Sequence, residues 1–184
     1  MEPVALQDRS SSRARKVAVE FLKALETSGF SVWVRESGSL WSFPGILLVH
    51  TYGMGIMVGV ILAVDLSILG FVPALPLAPL QKFFPIVWTA FWLNAITGTI
   101  LLAADATTKL TNPDFGVKMA FIVLAVINQR MIQKRLFGGS PSTSSTVAGA
   151  RGKTLAWMSI VCWLGAITAG RLLAYVGPAA ANAK

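Results

Sequence analysis

The sequence predicts an all-α protein of the membrane: a polytopic four-helix bundle preceded by an interfacial amphipathic helix. Four apolar stretches, at about 43–69, 84–104, 115–135 and 154–176, approach or exceed the roughly twenty helical residues that cross a hydrocarbon core. Hydrophobic residues make up 54% of the chain and charged ones only 13%, which leaves too little polar cover for a water-soluble domain. The mean hydropathy of +0.65 points the same way. With 184 residues, the chain has room for one bundle and no second folded domain. It divides into a basic N-terminal segment at 1–40, a four-span domain at 41–177 and a tail at 178–184.

In the first segment Arg9, Arg13, Arg15 and Lys16 precede Val17, Phe21, Leu22 and Leu25, which recur on one helical face. That pattern predicts a short helix lying in the interface. A secretory signal is not expected, because no continuous apolar core or small-residue cleavage site follows the basic residues. Trp33 and Trp41 suit the headgroup level, and the chain should enter the bilayer near Trp41.

Span one opens with Phe43-Pro44, where a missing N–H costs little, and closes before Pro73, Pro76 and Pro79, which predict a short, stiff, apolar connection. Thr111-Asn112-Pro113-Asp114 forms a turn that starts span three. That span runs into Gln129, Arg130, Gln133, Lys134 and Arg135, so its end should project as a basic extension. Gly138 to Ala150, rich in Gly, Ser and Thr, reads as a flexible linker, and the residues after Pro178 as a frayed tail.

The formal net charge of +8 does not indicate nucleic acid, because the Lys and Arg residues sit at helix ends and in connections, where anionic headgroups meet them. Four spans put both termini on one side. The loop 130–153, basic and free of acids, favours a cytoplasmic position for itself, against the basic N-terminal segment across the membrane, which argues for the opposite topology.

Polar residues inside the spans carry the functional expectations, since hydrocarbon tolerates them only when they are paired or useful. At 100° per residue His50, Met54, Met57 and Asp65 share one side of span one, and Gly55 and Gly59 lie opposite as a GxxxG packing face. In span two Gly98 shares a face with Asn94 and is a third packing candidate. Asn94 and Asn128 could bond across the bundle, Asp65 could hold a proton or cation or reach interfacial charges, and Asp105 could pair with Lys118.

His50 is the single histidine. It is read as a hydrogen-bonded neutral imidazole, as a haem b ligand shared between two protomers or paired with Met119 or Met158, or as a copper ligand with Met54 and Met57. One cysteine, Cys162, excludes an internal disulfide and any multi-cysteine metal site, and no P-loop, dinucleotide fingerprint, GxSxG or HExxH is present.

Trp41-Ser42-Phe43-Pro44, Val49-His50-Thr51-Tyr52-Gly53, Asp65-Leu66-Ser67-Ile68-Leu69-Gly70, Thr97-Gly98 before Leu101-Leu102, and Asn112-Pro113-Asp114-Phe115 with Lys118 fall in that order. Over about residues 40–130 these landmarks resemble a family of uncharacterised bacterial four-helix inner-membrane proteins. That family is distantly similar to membrane proteins of copper handling and to cytochrome-b-like subunits. The resemblance implies a four-helix bundle in a bacterial inner membrane with His50 as a landmark, and supplies no substrate.

Two functions follow as expectations. One is a membrane subunit or anchor, without catalytic activity alone, that associates with other subunits or with itself and holds a redox cofactor at His50. The other is a small oligomeric channel or permease for protons, metal ions or small solutes, lined by His50, Asp65, Asn94 and Asn128.

Overall fold

The computed structural model describes residues 3–72, 77–137 and 149–181. All regular structure among them is helical: α1 (Pro3–Glu26), α2 (Gly29–Glu36), α3 (Phe43–Leu69), α4 (Leu77–Leu80) with a 3₁₀ turn (Gln81–Phe83), α5 (Phe84–Ala103), α6 (Ala106–Leu110), α7 (Pro113–Phe137) and α8 (Ala150–Ala181). Four of these helices, α3, α5, α7 and α8, are long and apolar enough to cross a membrane. The chain is thus an integral membrane protein of four apolar helices in contact with lipid.

Local chemistry sets the helix ends. Pro44 occupies the first turn of α3, and Gly70 ends it in the left-handed conformation, with φ 83°. The Phe71 N–H donates to Leu66 O at 3.0 Å and the Gly70 N–H to Ser67 O at 3.2 Å, the paired bonds of a Schellman stop. The Asp114 N–H donates to Asn112 Oδ1 at 2.9 Å, so Asn112 caps α7 and Pro113 takes its first position. Asp105 makes no such bond to α6. Instead Glu26 of α1 accepts the Thr107 N–H at 2.6 Å.

The spanning helices run antiparallel in sequence order. His50 meets Gly98 and Gly53 meets Asn94, which pairs α3 with α5. Phe121 meets Gly165 and Lys118 meets Gly170, which pairs α7 with α8, and α8 also packs along α3. One apolar cluster joins Met57, Ile61, Val87, Ala90, Ala125, Cys162 and Trp163 at mid-bundle. A second joins Val64, Ile68, Leu80, Phe84, Ile132 and Ala156 toward the end where α3 and α7 finish.

Several expectations change in detail. The N-terminal segment forms two helices rather than one. Helix α2 docks on the end of α5, through Ser31 Oγ to Ala103 O and an Arg35 guanidinium nitrogen to Ala104 O, each at 3.4 Å, and α1 packs on α6, while Val17 and Phe21 stay exposed. The end of α7 does not project free. Arg130 lies 3.9 Å over the Trp88 ring, and Trp88 Nε1 donates to Gln133 Oε1 at 3.2 Å. Helix α8 continues through Pro178 to Ala181, beyond the expected start of the tail. The proline-rich connection at 73–76, the linker at 138–148 and the tail at 182–184 lie outside the described residues.

Candidate functional site

Two polar layers interrupt the apolar interior, one near each end of the bundle. The first lies between α3 and α5. His50 Nδ1 stands 2.9 Å from Thr97 Oγ1, whose hydroxyl also reaches Leu93 O at 2.8 Å. With its amide oriented as its neighbours require, Asn94 donates to His50 O at 2.7 Å and to Nδ1 at 3.0 Å, and accepts the Met54 N–H at 2.6 Å. Gly98 allows the imidazole to approach, because a Cβ there would meet Cε1 at 3.1 Å. Lys109 and Lys118 share this end of the bundle and act on His50 electrostatically.

Lys109 lies in the connection between α5 and α7 and donates to Leu101 O at 2.7 Å. Burial lowers its pKa below the ordinary 10.5, and Asp105 opposes that shift. Asp105 thus faces Lys109. Lys118 has no acidic partner among the described residues.

The haem and copper readings of His50 turn on which of its ring nitrogens is left open. Its Nδ1 is engaged by Thr97 and Asn94, which leaves Nε2 as the single free ring nitrogen. Met57 is packed in the mid-bundle apolar cluster, and Met119 and Met158 are exposed. No group of three or more His, Cys, Asp or Glu side chains converges among the described residues.

The second layer lies between the two apolar clusters, where α3, α7 and α8 meet. Asp65 follows Ile61 by one turn, Asn128 and Gln129 lie between Ala125 and Ile132, and Ser159 lies between Ala156 and Cys162. Asp65 is 1% exposed, Asn128 and Ser159 0%, and Gln129 2%. Asn128 Nδ2 donates to Leu155 O at 2.9 Å, and Ser159 is the hydroxyl that faces the Asp65 carboxyl. Both Asp65 oxygens, Asn128 Oδ1, both Gln129 amide atoms, Ser159 Oγ and Trp163 Nε1 are buried with no hydrogen-bond partner among the described residues. Outside this layer and its Trp163 flank, only Thr107 Oγ1 shares that state. Native interiors leave few buried polar atoms unpaired, so their concentration at one level is informative.

Burial places Asp65 differently from the interfacial expectation: it is enclosed by three helices and pairs with no basic side chain among the described residues. Asn94 and Asn128 do not bond to each other, since they belong to different layers. About 22 Å of helix, fifteen residues of α3, separates His50 from Asp65. Gly55 and Gly59 meet nothing among the described residues, where no atom lies within 4 Å of a Cβ built on either.

Sequence reasoning passed over Thr97, Gln129 and Ser159 as site residues. Thr97 lies one turn beyond Asn94 on the same face, which was a usable signal. Ser159 is one hydroxyl in an apolar run, and nothing in the run marks it.

No family model, curated protein or solved structure matches this chain.

Proposed function

We propose that this chain is a small carrier-type permease that takes protons or cations onto Asp65. The observation that carries this reading is the burial of that carboxyl in a membrane bundle with no basic side chain paired to it among the described residues and only the Ser159 hydroxyl placed beside it. An isolated carboxylate in hydrocarbon is strongly disfavoured, so the group needs a proton or a cation to stay there. The mid-bundle apolar cluster separates this layer from the His50 layer, which gives two half-sites and no continuous polar path among the described residues. Such a barrier suits a carrier better than an open channel. The test is flux in liposomes loaded with a pH-sensitive dye, under a proton or sodium gradient. Asp65-dependent flux, lost in Asp65→Asn and kept in His50→Ala, supports the reading; equal flux in wild type and Asp65→Asn sinks it.

A second reading is a membrane subunit or anchor, and the outward Gly55–Gly59 face favours it. Small residues at helical spacing allow another helix to approach closely, and among the described residues no helix does so. The resemblance to uncharacterised four-helix inner-membrane proteins, a family distantly similar to cytochrome-b-like subunits, agrees with that role, although a single histidine departs from the cytochrome-b-like pattern. A reduced-minus-oxidised spectrum with metal analysis tests for a cofactor at His50. Affinity isolation from membranes in mild detergent tests for partners, and a colourless protein that isolates alone counts against this reading.

A further inference from the structure

We infer that the Asp65 layer is a binding site for one monovalent metal cation, with oxygens from Asp65, Asn128, Gln129 and Ser159 as its donors. This rests on the reading of Asp65 as the uptake group and goes further by naming the ligand class.

The donor chemistry comes first. Beside the N–H groups of Gln129 and Trp163, the unpartnered atoms of the layer are a carboxylate, two side-chain amide oxygens and a hydroxyl, all of them hard oxygen ligands that outnumber the donors. Hard donors suit alkali and alkaline-earth ions, and the soft or borderline metals prefer the thiolate, thioether or imidazole that this layer lacks. Cys162 lies one turn from Ser159 but packs in the apolar cluster.

Charge then separates monovalent from divalent ions. Among the described residues Asp65 is the single carboxylate of the layer, and no basic side chain pairs with it. One monovalent ion brings the site to neutrality, whereas a divalent ion leaves an uncompensated positive charge among Val64, Ile68, Ile132 and Ala156, the neighbouring apolar cluster. A proton would also neutralise Asp65, and its O–H, like the Ser159 hydroxyl and the Gln129 N–H groups, could serve one neighbouring oxygen at a time. A metal ion addresses several of these oxygens together.

The donors also arrive from three helices whose positions are held independently. Asn128 is tied to Leu155 O of α8 by its Nδ2, which fixes its amide and directs Oδ1 away from that bond. Ser159 follows Leu155 by one turn on α8 and faces Asp65 of α3. The apolar clusters on either side hold the three helices in register. A bound ion therefore links α3, α7 and α8, and should raise the stability of the whole bundle by mass action.

The experiment uses the full chain purified in mild detergent. Its thermal transition is followed as NaCl, LiCl or KCl replaces choline chloride at constant ionic strength, and ²²Na⁺ binding is counted by equilibrium dialysis. The expected result is a saturable rise in Tm with at least one alkali ion that is abolished in Asp65→Asn. Ser159→Ala, which removes only a hydroxyl, should weaken the apparent affinity by about tenfold, the worth of roughly one lost ligand bond. If Asp65→Asn does not fold, Ser159→Ala alone decides: an unchanged titration overturns the site. No alkali-ion effect, or an effect that Asp65→Asn retains, overturns it as well. A stronger and saturable response to CaCl₂ overturns the monovalent assignment. The two readings fail separately: proton flux that needs Asp65 without any metal-ion effect removes only the cation site, and Na⁺ binding without flux removes only the permease.

Discussion

The Glu26 carboxyl accepts the backbone N–H of Thr107 at 2.6 Å, so the last turn of α1 caps α6 across 81 residues of chain. Helix α6 has five residues, and its own N-cap residue, Asp105, makes no side-chain bond to it. A free helix of that length would not persist in water. The N-terminal helices therefore help to hold the connection between spans two and three, along with Ser31 and Arg35, which reach Ala103 O and Ala104 O.

Glu26→Ala should cost about 1 kcal/mol, the worth of a helix cap. The loss should be local. Hydrogen exchange at Ala106–Leu110 should accelerate and protease should cut more readily between α1 and α2, while the spanning helices keep their protection. Unchanged exchange in α6 would show that the cap is dispensable.

Glycine substitutions should sort by what a Cβ meets. At Gly165 it would stand 2.7–2.8 Å from three Phe121 ring carbons, and at Gly98 it would stand 3.1 Å from His50 Cε1. Gly165→Ala should lower stability by about 1–3 kcal/mol through overpacking, with partial rescue by Phe121→Leu, and Gly98→Ala by about 1 kcal/mol. Gly55→Ala and Gly59→Ala should leave Tm unchanged or raise it, because alanine favours helix and open space surrounds both positions. A shift of either variant to a smaller particle in size-exclusion chromatography with light scattering would identify that face as an association surface.

Trp88 links α5 to the end of α7 in two ways, by stacking under Arg130 and by its hydrogen bond to Gln133. Arg130→Ala should cost about 0.5–1 kcal/mol. Trp88→Phe keeps a ring but loses the N–H, and should cost about 1 kcal/mol. A double-mutant cycle of Trp88→Phe with Gln133→Ala, read by thermal denaturation in detergent, should give a coupling energy; strict additivity would mean that the bond contributes nothing.

Lys109 sets a pH dependence. Its pKa in the folded protein is lowered by burial from 10.5, so on the alkaline side the native chain releases this proton before the unfolded chain does. Where the unfolded state binds more protons, stability rises with pH. The contribution of Lys109 should therefore improve as pH climbs from its lowered value toward 10.5 and level off above it. Subtracting the Tm profile of Lys109→Met from that of the wild type should reveal this upward slope. A flat or falling difference would refute it.

The sequence by itself determined the class of the protein and the order of its parts. Twenty-residue apolar runs have one economical solution in lipid, because every backbone N–H and C=O must be satisfied within its own helix. The stops were equally local: Gly70 supplies a left-handed turn that other residues resist, and Asn112-Pro113 supplies a cap and a first position. The tertiary structure decided which polar residues meet. Helical periodicity put His50, Met54, Met57 and Asp65 on one side of α3, yet His50 joins Thr97 and Asn94 of α5, Met57 enters the apolar core, and Asp65 faces Ser159 of α8. The GxxxG pattern marked Gly55 and Gly59 for close packing, whereas the close approaches between spanning helices fall at Gly53, Gly98 and Gly165. The physical reason is that periodicity fixes direction around one helix axis, and the depth at which antiparallel neighbours bring their side chains to the same level is set by the packing of all four helices together.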